Sequence, residues 1–458
     1  MKNRKLNIFL IVVLIICIVG ITFVKIIPNL NASENKKIKY VFLFIGDGMN
    51  INHVELTEIY NNIINGKEFE NQEKLSFDKF KSIGLRKNHD KYNYVPDSAS
   101  SGTAISSGLV TKNGMLNVDD EGAKVAPITY DLKNKRKMKI GILTTVPIVH
   151  ATPAAFYAYS QSRTEYYSIA NDLVNSNFDY FGDGGFNLDE NQLKDITNKL
   201  NDNKYKIVTS HEEIENLNKN SGKVVAINPN QNWGTTKYLI DSEKNDLQLK
   251  DFVRKGIDVL DNENGFFMMA ESGMIDYASH NDDVKGVISE VNVLDDAVKE
   301  ALKFYKKHPK ETLIIVTGDH ETGGLALGNN EGFGLYLSKL QYQKYSLAVL
   351  NHTIKYSASF DEVLSYLDSN YGIGADADKF LLTNENKELL SRYYDEKNYD
   401  MFMNVIRNII QTETKVGWTS YNHTASPIAV YAKGVNSDEF SGKYTTKEFN
   451  QKLRQVLK

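Results

Sequence analysis

Carboxylate and imidazole side chains follow several short apolar runs of this 458-residue sequence, in pairs that could hold a metal ion. Asp276 and His280 are four residues apart, which places both side chains on one face of a helical turn. Asp319 and His320 are adjacent and closely follow the apolar run at residues 312–316. Oxygen and nitrogen ligands without thiolate suit zinc and magnesium, so these pairs point to metal-assisted chemistry.

Three single residues add ligands of the same kind. Asp47 lies between two glycines after the apolar run at residues 40–45. Glu271 ends the run at residues 265–270, where a buried carboxylate needs a cation or an arginine nearby. His423 lies shortly before a further apolar run. Each of these residues, taken alone, is more often an ordinary turn, capping or surface residue, and it is their recurrence at four predicted strand ends that favours a shared metal site.

A small, polar segment supplies a candidate nucleophile. Residues 96–104 read Pro-Asp-Ser-Ala-Ser-Ser-Gly-Thr-Ala and precede a predicted helix. Ser98 could simply cap that helix. Beside a metal and at the positive end of the helix dipole, however, its hydroxyl would lose its proton more readily and could attack an electrophile. Arg163 is a candidate partner, because a planar guanidinium can hold two phosphoryl oxygens at once.

The elements that must position these residues are predicted to be strands and helices in alternation. Five apolar runs are typical of buried parallel strands: residues 40–45, 139–144, 265–270, 312–316 and 427–432. Amphipathic stretches such as residues 284–305 lie between them. This pattern predicts an α/β fold with a doubly wound, mostly parallel sheet flanked by helices. Because such folds bind ligands at the carboxyl ends of their strands, we expect the candidate residues to converge at one edge of the sheet.

Two segments stand apart from this pattern. Residues 332–415 are rich in Tyr, Lys and Asn and predict a helical or irregular insertion within the catalytic domain, residues 31–458. Residues 1–30 combine a basic start with a nearly unbroken apolar run, which predicts a membrane anchor or a secretory signal peptide. The basic flank keeps that end in the cytoplasm, so we expect an extracytoplasmic protein, anchored in the membrane or secreted after cleavage.

Composition excludes several classes of function. Cys17 is the only cysteine, so internal disulfides and thiolate-ligated metal sites are excluded. The net charge is −4, and the four cations among residues 1–30 leave −8 on the rest of the chain. An acidic chain without a long basic run argues against nucleic acid as the main partner. Any attraction for an anionic substrate must therefore be local.

Together and in order, these motifs resemble the alkaline phosphatase family. The matching segments span most of the chain: residues 44–49 (Phe-Ile-Gly-Asp-Gly-Met), 96–103, 151–155 with Arg163, 271–280, 317–324 (Thr-Gly-Asp-His-Glu-Thr-Gly-Gly) and the segment around His423. The resemblance implies a hydrolase of small phosphate monoesters that works through a phosphoserine intermediate at Ser98. It also implies a homodimer, since family members are often dimers, and a crown-like role for the insertion.

The resemblance further implies three ion sites. One zinc ion would be held by Asp276, His280 and His423. A second would be held by Asp47, Asp319 and His320, with Ser98 completing the site. A third ion, expected to be magnesium, would take Asp47, Thr152 and Glu271, while Asp97 would orient Arg163 toward the substrate phosphoryl group.

Two positions depart from the pattern of some family members. His150 stands where some have an aspartate, and Tyr277 stands where some have a lysine. By the resemblance both lie near the third ion and the phosphate, so the identity of that ion stays open.

Two alternative functions share some of these features. A phosphodiesterase or sulfatase of the same superfamily would have the metal pairs but would need no arginine for a dianion, and most lack the third site. Arg163, Thr152 and Glu271 together favour the monoesterase. A non-catalytic surface protein that binds a metal or a partner would account for the anchor and the Tyr-rich insertion, but not for a complete set of ligands.

Overall fold

The computed structural model describes residues 38–458, apart from residues 233, 331, 358 and 377. The predicted anchor or signal segment, residues 1–30, lies outside the described residues. Ten strands of the described chain form the central sheet: β1 (Tyr40–Gly46), β2 (Ser82–Lys87), β3 (Lys139–Thr144), β4 (Tyr180–Asp183), β5 (Tyr205–Val208), β6 (Lys223–Ile227), β9 (Phe266–Ser272), β10 (Thr312–Gly318), β15 (Ile428–Gly434) and β16 (Gly442–Thr445). Within the same described residues, six two-residue strands form three small pairs: β7 (Gln231–Asn232) with β8 (Thr235–Thr236), β11 (Glu321–Thr322) with β14 (His423–Thr424), and β12 (Ile373–Gly374) with β13 (Phe380–Leu381).

The strand order of the central sheet is β16-β2-β15-β10-β1-β9-β3-β4-β6-β5. Within the described chain, β15 alone runs antiparallel to its neighbours in this sheet. All five predicted strands are present, as β1, β3, β9, β10 and β15. The prediction that the run at residues 427–432 is a parallel strand is wrong, because β15 pairs antiparallel with both β10 and β2. The predicted α/β fold class with a mostly parallel sheet is confirmed.

Fifteen helices are described around this sheet: α1 (Ile51–Ile64), α2 (Ser98–Ser106), α3 (Ile128–Arg136), α4 (Ala151–Ala154), α5 (Tyr166–Ser176), α6 (Glu190–Asp202), α7 (His211–Glu215), α8 (Leu249–Leu260), α9 (Met274–His280), α10 (Val284–Lys307), α11 (Leu347–Ile354), α12 (Phe360–Tyr371), α13 (Asn384–Asp395), α14 (Tyr399–Thr414) and α15 (Thr446–Val456). Helices α11–α14 lie in the predicted insertion, which connects β10 to β15. Among the residues that the structure describes, none of the helices has the length and apolar character that crossing a membrane requires.

Hydrophobic cores lie on both faces of the sheet, which explains why its central strands are continuous apolar runs. In β1, Phe42 and Phe44 pack into one buried cluster, whereas Val41 and Leu43 pack into the other. Alternate side chains of a strand point to opposite faces, so a strand buried on both sides has no polar position. The candidate residues lie at the carboxyl ends of these strands or directly after them.

One buried carboxyl group makes the stability of this core depend on pH. Glu290 of α10 is buried, and its Oε1 accepts a hydrogen bond from the Leu239 N–H at 2.8 Å. Burial, reinforced by nearby carboxylates and opposed by the Leu239 hydrogen bond, raises the pKa of Glu290 to about 8. The protonated form therefore stabilises the fold below the ordinary value of 4.5, and this contribution is lost as the pH rises to about 8.

Glu290→Gln removes this titration and keeps an acceptor for the Leu239 N–H. We expect the melting temperature of the variant, relative to the natural protein, to rise between pH 5 and pH 9, because only the natural protein must bury a charge at high pH. Thermal denaturation at both pH values measures the effect. A difference in melting temperature that is the same at pH 5 and pH 9 would contradict it.

Candidate active site

The candidate ligands lie at the carboxyl edge of the central sheet, where β1 pairs in parallel with β10 on one side and β9 on the other. Asp47 follows β1, Asp319 follows β10, and Glu271 belongs to the end of β9. The turn after β1 requires glycine: Gly48 has a φ of +75°, and a Cβ there would lie 2.7 Å from the Thr322 hydroxyl. Neighbouring strand ends therefore bring these three carboxylates together.

The first group of candidate ligands comprises Asp47, Asp319 and His320, all of them buried. His320 Nε2 lies 3.3 Å from Asp47 Oδ1 and 3.3 Å from Asp319 Oδ2. Ser98 Oγ lies 3.1 Å from the same nitrogen. The ligand atoms of this group lie within 4.8 Å of one another, close enough to surround one ion, with the serine hydroxyl beside it.

The hydrogen bonds of Thr322 fix the tautomer of His320. The Thr322 hydroxyl donates to Asp276 Oδ1 at 2.5 Å, so its oxygen accepts from His320 Nδ1 at 3.3 Å. The proton of the neutral ring is then on Nδ1, and the lone pair of Nε2 faces the carboxylates and Ser98. Burial, and next the adjacent His423, lowers the pKa of His320 well below its ordinary value. The ring is thus in the form that binds a metal ion.

The second group comprises Asp276, His280 and His423. His280 Nε2 lies 3.4 Å from Asp276 Oδ2, and His423 Nε2 lies 3.7 Å from Asp276 Oδ1. The Nδ1 atoms of both histidines contact backbone carbonyls, of Tyr421 at 2.5 Å and of Pro96 at 2.8 Å. Because Nδ1 donates to these carbonyls, each Nε2 faces Asp276 and is the atom that can bind a cation. Although burial acts against it, the hydrogen bond to Asp276 raises the pKa of His280 to about 9, so a metal ion would replace the proton on its Nε2.

The third group comprises Asp47, His150 and Glu271. Thr144 Oγ1 donates to Glu271 Oε2 at 2.5 Å, and Thr152 Oγ1 donates to Asp47 Oδ2 at 3.4 Å. Asp47 Oδ1, Glu271 Oε1 and His150 Nδ1 are buried and have no hydrogen-bond partner among the residues that the structure describes. Buried polar atoms normally have partners, so the two orphaned carboxylate oxygens fit a cation between them.

The electrostatics of the site also call for cations. Burial, and next the negative charges of Asp319 and Asp276, raises the pKa of Asp47 well above its ordinary value. Burial likewise raises the pKa of Glu271 to about 8. For Asp276, burial is outweighed by His280 and other imidazoles, which lower its pKa. Four carboxylates in one buried region are compatible with ionisation only if positive charge compensates them.

Ser98 begins helix α2, but it does not cap that helix. The cap is Asp97, whose Oδ1 accepts from the Ser100 N–H at 2.9 Å. The Ser98 hydroxyl is therefore not occupied by a capping bond and points instead to the first group. Its position at the positive end of the helix dipole favours its deprotonated form. The alternative interpretation of Ser98 as the helix cap is wrong.

Arg163 is held between two side chains. Its Nη1 donates to Asp97 Oδ2 at 3.0 Å, and its Nη2 donates to His150 Nε2 at 3.0 Å. Although burial acts against it, the Asp97 carboxylate raises the pKa of Arg163, which keeps its charge. Burial, and next Arg163, lowers the pKa of His150 to about 3. The Tyr277 ring meets the His150 ring edge-on, with centroids 6.1 Å apart.

All of the site residues predicted from the sequence lie at this one edge of the sheet. Sequence reasoning missed two hydroxyl groups that support the ligands, those of Thr322 and Thr144. Thr322 lies in the matching segment 317–324, and Thr144 ends a predicted strand. Both hydroxyl groups could therefore have been predicted to support the ligands. The resemblance predicts that His150 lies near the third ion, but no pattern in the sequence indicates its hydrogen bond with Arg163.

Comparison with known proteins agrees with this geometry. The family model described as alkaline phosphatase matches residues 38–182 and 176–458. Alkaline phosphatase 3 of Bacillus subtilis (strain 168) is 29% identical over 446 residues, which cover 94% of this chain and 92% of that protein.

Two solved structures share the fold. The cold-active alkaline phosphatase from the psychrophile Shewanella sp. superposes with a TM-score of 0.80 at 24% identity, covering 92% of this chain and 100% of that chain. A histidine-to-glutamate variant of the alkaline phosphatase from TAB5, which has Mg bound in its M3 site, superposes with a TM-score of 0.64 at 26% identity, covering 92% of this chain and 98% of that one.

Proposed function

Because the chain belongs to the alkaline phosphatase family, we propose that it hydrolyses small phosphate monoesters through a phosphoserine intermediate at Ser98, with two zinc ions and one magnesium ion. The phosphatase activity follows from the family; the ions and the intermediate are our proposal. The observation that carries it is the position of Ser98 Oγ, 3.1 Å from His320 Nε2 in a buried group of metal-binding atoms.

The donor atoms favour different ions at the three groups. The first and second groups each offer imidazole nitrogen and carboxylate oxygen, which suit zinc. At the third group, Arg163 can only donate, so His150 Nε2 accepts and the proton of the neutral ring is on Nδ1. His150 is then not a ligand in this arrangement, and Asp47, Glu271 and Thr152 leave an all-oxygen set, which suits magnesium.

Bound at these groups, the ions would supply Lewis-acid stabilisation of the charge on the phosphoryl oxygens and on the attacking and departing oxygens. The chain itself does the positioning. Ser98 presents its hydroxyl from a rigid helix start, and Arg163 offers a charged, planar guanidinium whose orientation Asp97 and His150 fix. Burial of the surrounding residues excludes water from the attacking oxygen and strengthens these interactions.

The experiment that tests this function compares a monoester with a diester. Arg163→Ala should lower kcat/KM for an aryl phosphate by roughly 10²-fold, because the guanidinium can hold two phosphoryl oxygens, and the monoester dianion has one more unesterified oxygen and one more negative charge than the diester. The kcat/KM for the matching bis-aryl phosphate should change by no more than about threefold. Steady-state kinetics on both esters measures the two effects. Arg163→Lys keeps the positive charge but not the planar guanidinium, so its kcat/KM for the aryl phosphate should lie between those of the natural protein and Arg163→Ala.

A natural protein that hydrolyses the bis-aryl ester faster than the monoester would overturn this choice in favour of the phosphodiesterase. Equal losses on both esters in Arg163→Ala would show that the arginine supports the fold of the site and does not select the dianion.

We further propose that the protein works outside the cytoplasm, as an anchored or secreted enzyme. The basic and apolar sequence of residues 1–30 supports this placement. The homodimer stays a prediction from the resemblance.

A further inference from the structure

A groove of about 830 Å³ opens beside the candidate active site. It lies between α9, the segment at residues 235–241 and helix α11 of the insertion. Tyr277 and His280 form part of its wall, so the groove is continuous with the second group of candidate ligands. Its volume falls within the range of about 300–1,000 Å³ that is typical of small-molecule sites.

The direction of the reaction places this groove on the side of the departing alcohol. In an in-line displacement the attacking and departing oxygens lie on opposite sides of phosphorus. Ser98 lies beside His320 in the first group, whereas His280 belongs to the second group and lines the groove. An alcohol that leaves opposite Ser98 therefore leaves toward His280 and the groove.

Tyr277 connects the phosphate-binding residues with the groove. It follows Asp276 on α9, and its ring meets the ring of His150, the residue that accepts from Arg163. Tyr277 also lines the groove. A substrate whose phosphoryl group is held by Arg163 would thus place its alcohol portion past Tyr277.

The walls of the groove suit an uncharged group with apolar surface. Its apolar surface comes from side chains on three separate segments, among them Pro147, Met274, Tyr277 and Val349. Two charged groups of the groove are already paired. Lys237 Nζ lies 3.2 Å from Asp246 Oδ2, and the Asp241 carboxylate accepts from the backbone N–H and the hydroxyl of Ser346 at 2.7 and 2.6 Å.

We propose that this groove is a leaving-group subsite that favours phosphate esters of alcohols carrying a planar ring system, such as a nucleoside, over esters of small polyols. The proposal rests on the proposed function, and it deepens it by naming the substrate class. Stacking and burial of a ring against Tyr277 and Val349 would add binding that a sugar alone cannot obtain.

A matched pair of substrates isolates this effect. A nucleoside 5′-monophosphate and ribose 5-phosphate are both esters of a primary alcohol and differ in the presence of the base. We expect the natural protein to show a kcat/KM for the nucleotide that is on the order of tenfold higher, as burial of part of a ring predicts. Ala348→Trp, at an exposed position that lines the groove, should bring this ratio close to one.

The controls separate the groove from the reaction centre. In Ala348→Trp, inhibition by inorganic phosphate, which has no alcohol portion to enter the groove, should stay within about twofold of the natural value. Ser365→Trp places the same side chain on exposed α12, outside the groove, and should leave the ratio unchanged. Ala348→Glu, a smaller polar change at the same position, should lower the ratio in the same direction.

The possible results distinguish a failure of the subsite from a failure of the proposed function. A ratio near one in the natural protein, or an equal loss on both esters in the two Ala348 variants, overturns the subsite while the phosphatase stands. If neither ester is hydrolysed although the protein is loaded with zinc and magnesium, the proposed function fails, and the subsite fails with it.

Discussion

Replacing Ser98 with alanine is expected to lower kcat/KM for an aryl phosphate by roughly 10³-fold or more, while the metal content of the protein stays unchanged. The Ser98 hydroxyl is the nucleophile of the proposed reaction, and it lies at hydrogen-bond distance from His320 Nε2. The substitution removes one oxygen and leaves every carboxylate and imidazole of the three groups in place. Steady-state kinetics and elemental analysis of the purified variant measure both quantities.

A matched control and a direct observation sharpen this test. Ser106→Ala alters a buried serine at the other end of the same helix, whose hydroxyl contacts Thr103 O and Asn117 Oδ1 instead of a candidate ligand. It should retain most of the activity. Acid quenching during turnover should trap a phosphoryl group on the peptide that contains Ser98, and the alanine variant should show none.

The same variant separates the enzyme from a metal-binding surface protein. If Ser98→Ala keeps more than about a tenth of the natural kcat/KM, the phosphoserine mechanism is wrong. A non-catalytic protein would lose nothing measurable, because neither its metal content nor its partner depends on this hydroxyl.

The fold class could be predicted from the sequence because the strands that matter are buried on both faces. A run such as that of β1, in which Phe42 and Val41 are both fully buried, leaves no polar residue and is visible as a continuous apolar run. The direction of β15 has no such signal. Its apolar run resembles that of a parallel strand, and the path of the chain through the insertion decides that it returns antiparallel.

The candidate site could be predicted to the extent that its residues lie next to strand ends. Asp47 and Asp319 follow β1 and β10, and the parallel pairing of these strands brings the two carboxylates together. The hydrogen bond of Arg163 to His150 could not be predicted, since it depends on how the loop after α4 packs. The groove beside Tyr277 likewise depends on tertiary packing, because one of its walls is α11, which lies more than 60 residues after Tyr277 in the sequence.

Replacing Asp47 should have the widest effect of any single change, because Asp47 belongs to both the first and the third group of ligands. We expect Asp47→Asn to lower kcat/KM by at least roughly 10³-fold, since the ion beside Ser98 and the third ion would both lose a charged ligand. The second group does not contain Asp47, so elemental analysis should still find about one zinc ion per chain.

The stability of Asp47→Asn should change sign with the metal supply. Without metal, Asp47 is a buried carboxyl group whose pKa is raised by burial and by the neighbouring Asp319 and Asp276. The amide removes this repulsion, so the variant should melt at a higher temperature than the natural protein in the presence of a chelator. With zinc and magnesium in excess, the natural protein gains the free energy of binding and should become the more stable of the two. Thermal denaturation with and without chelator shows which of the two proteins has the higher melting temperature. If the variant is less stable under both conditions, or binds as much metal as the natural protein, Asp47 holds the turn after β1 and is not a ligand.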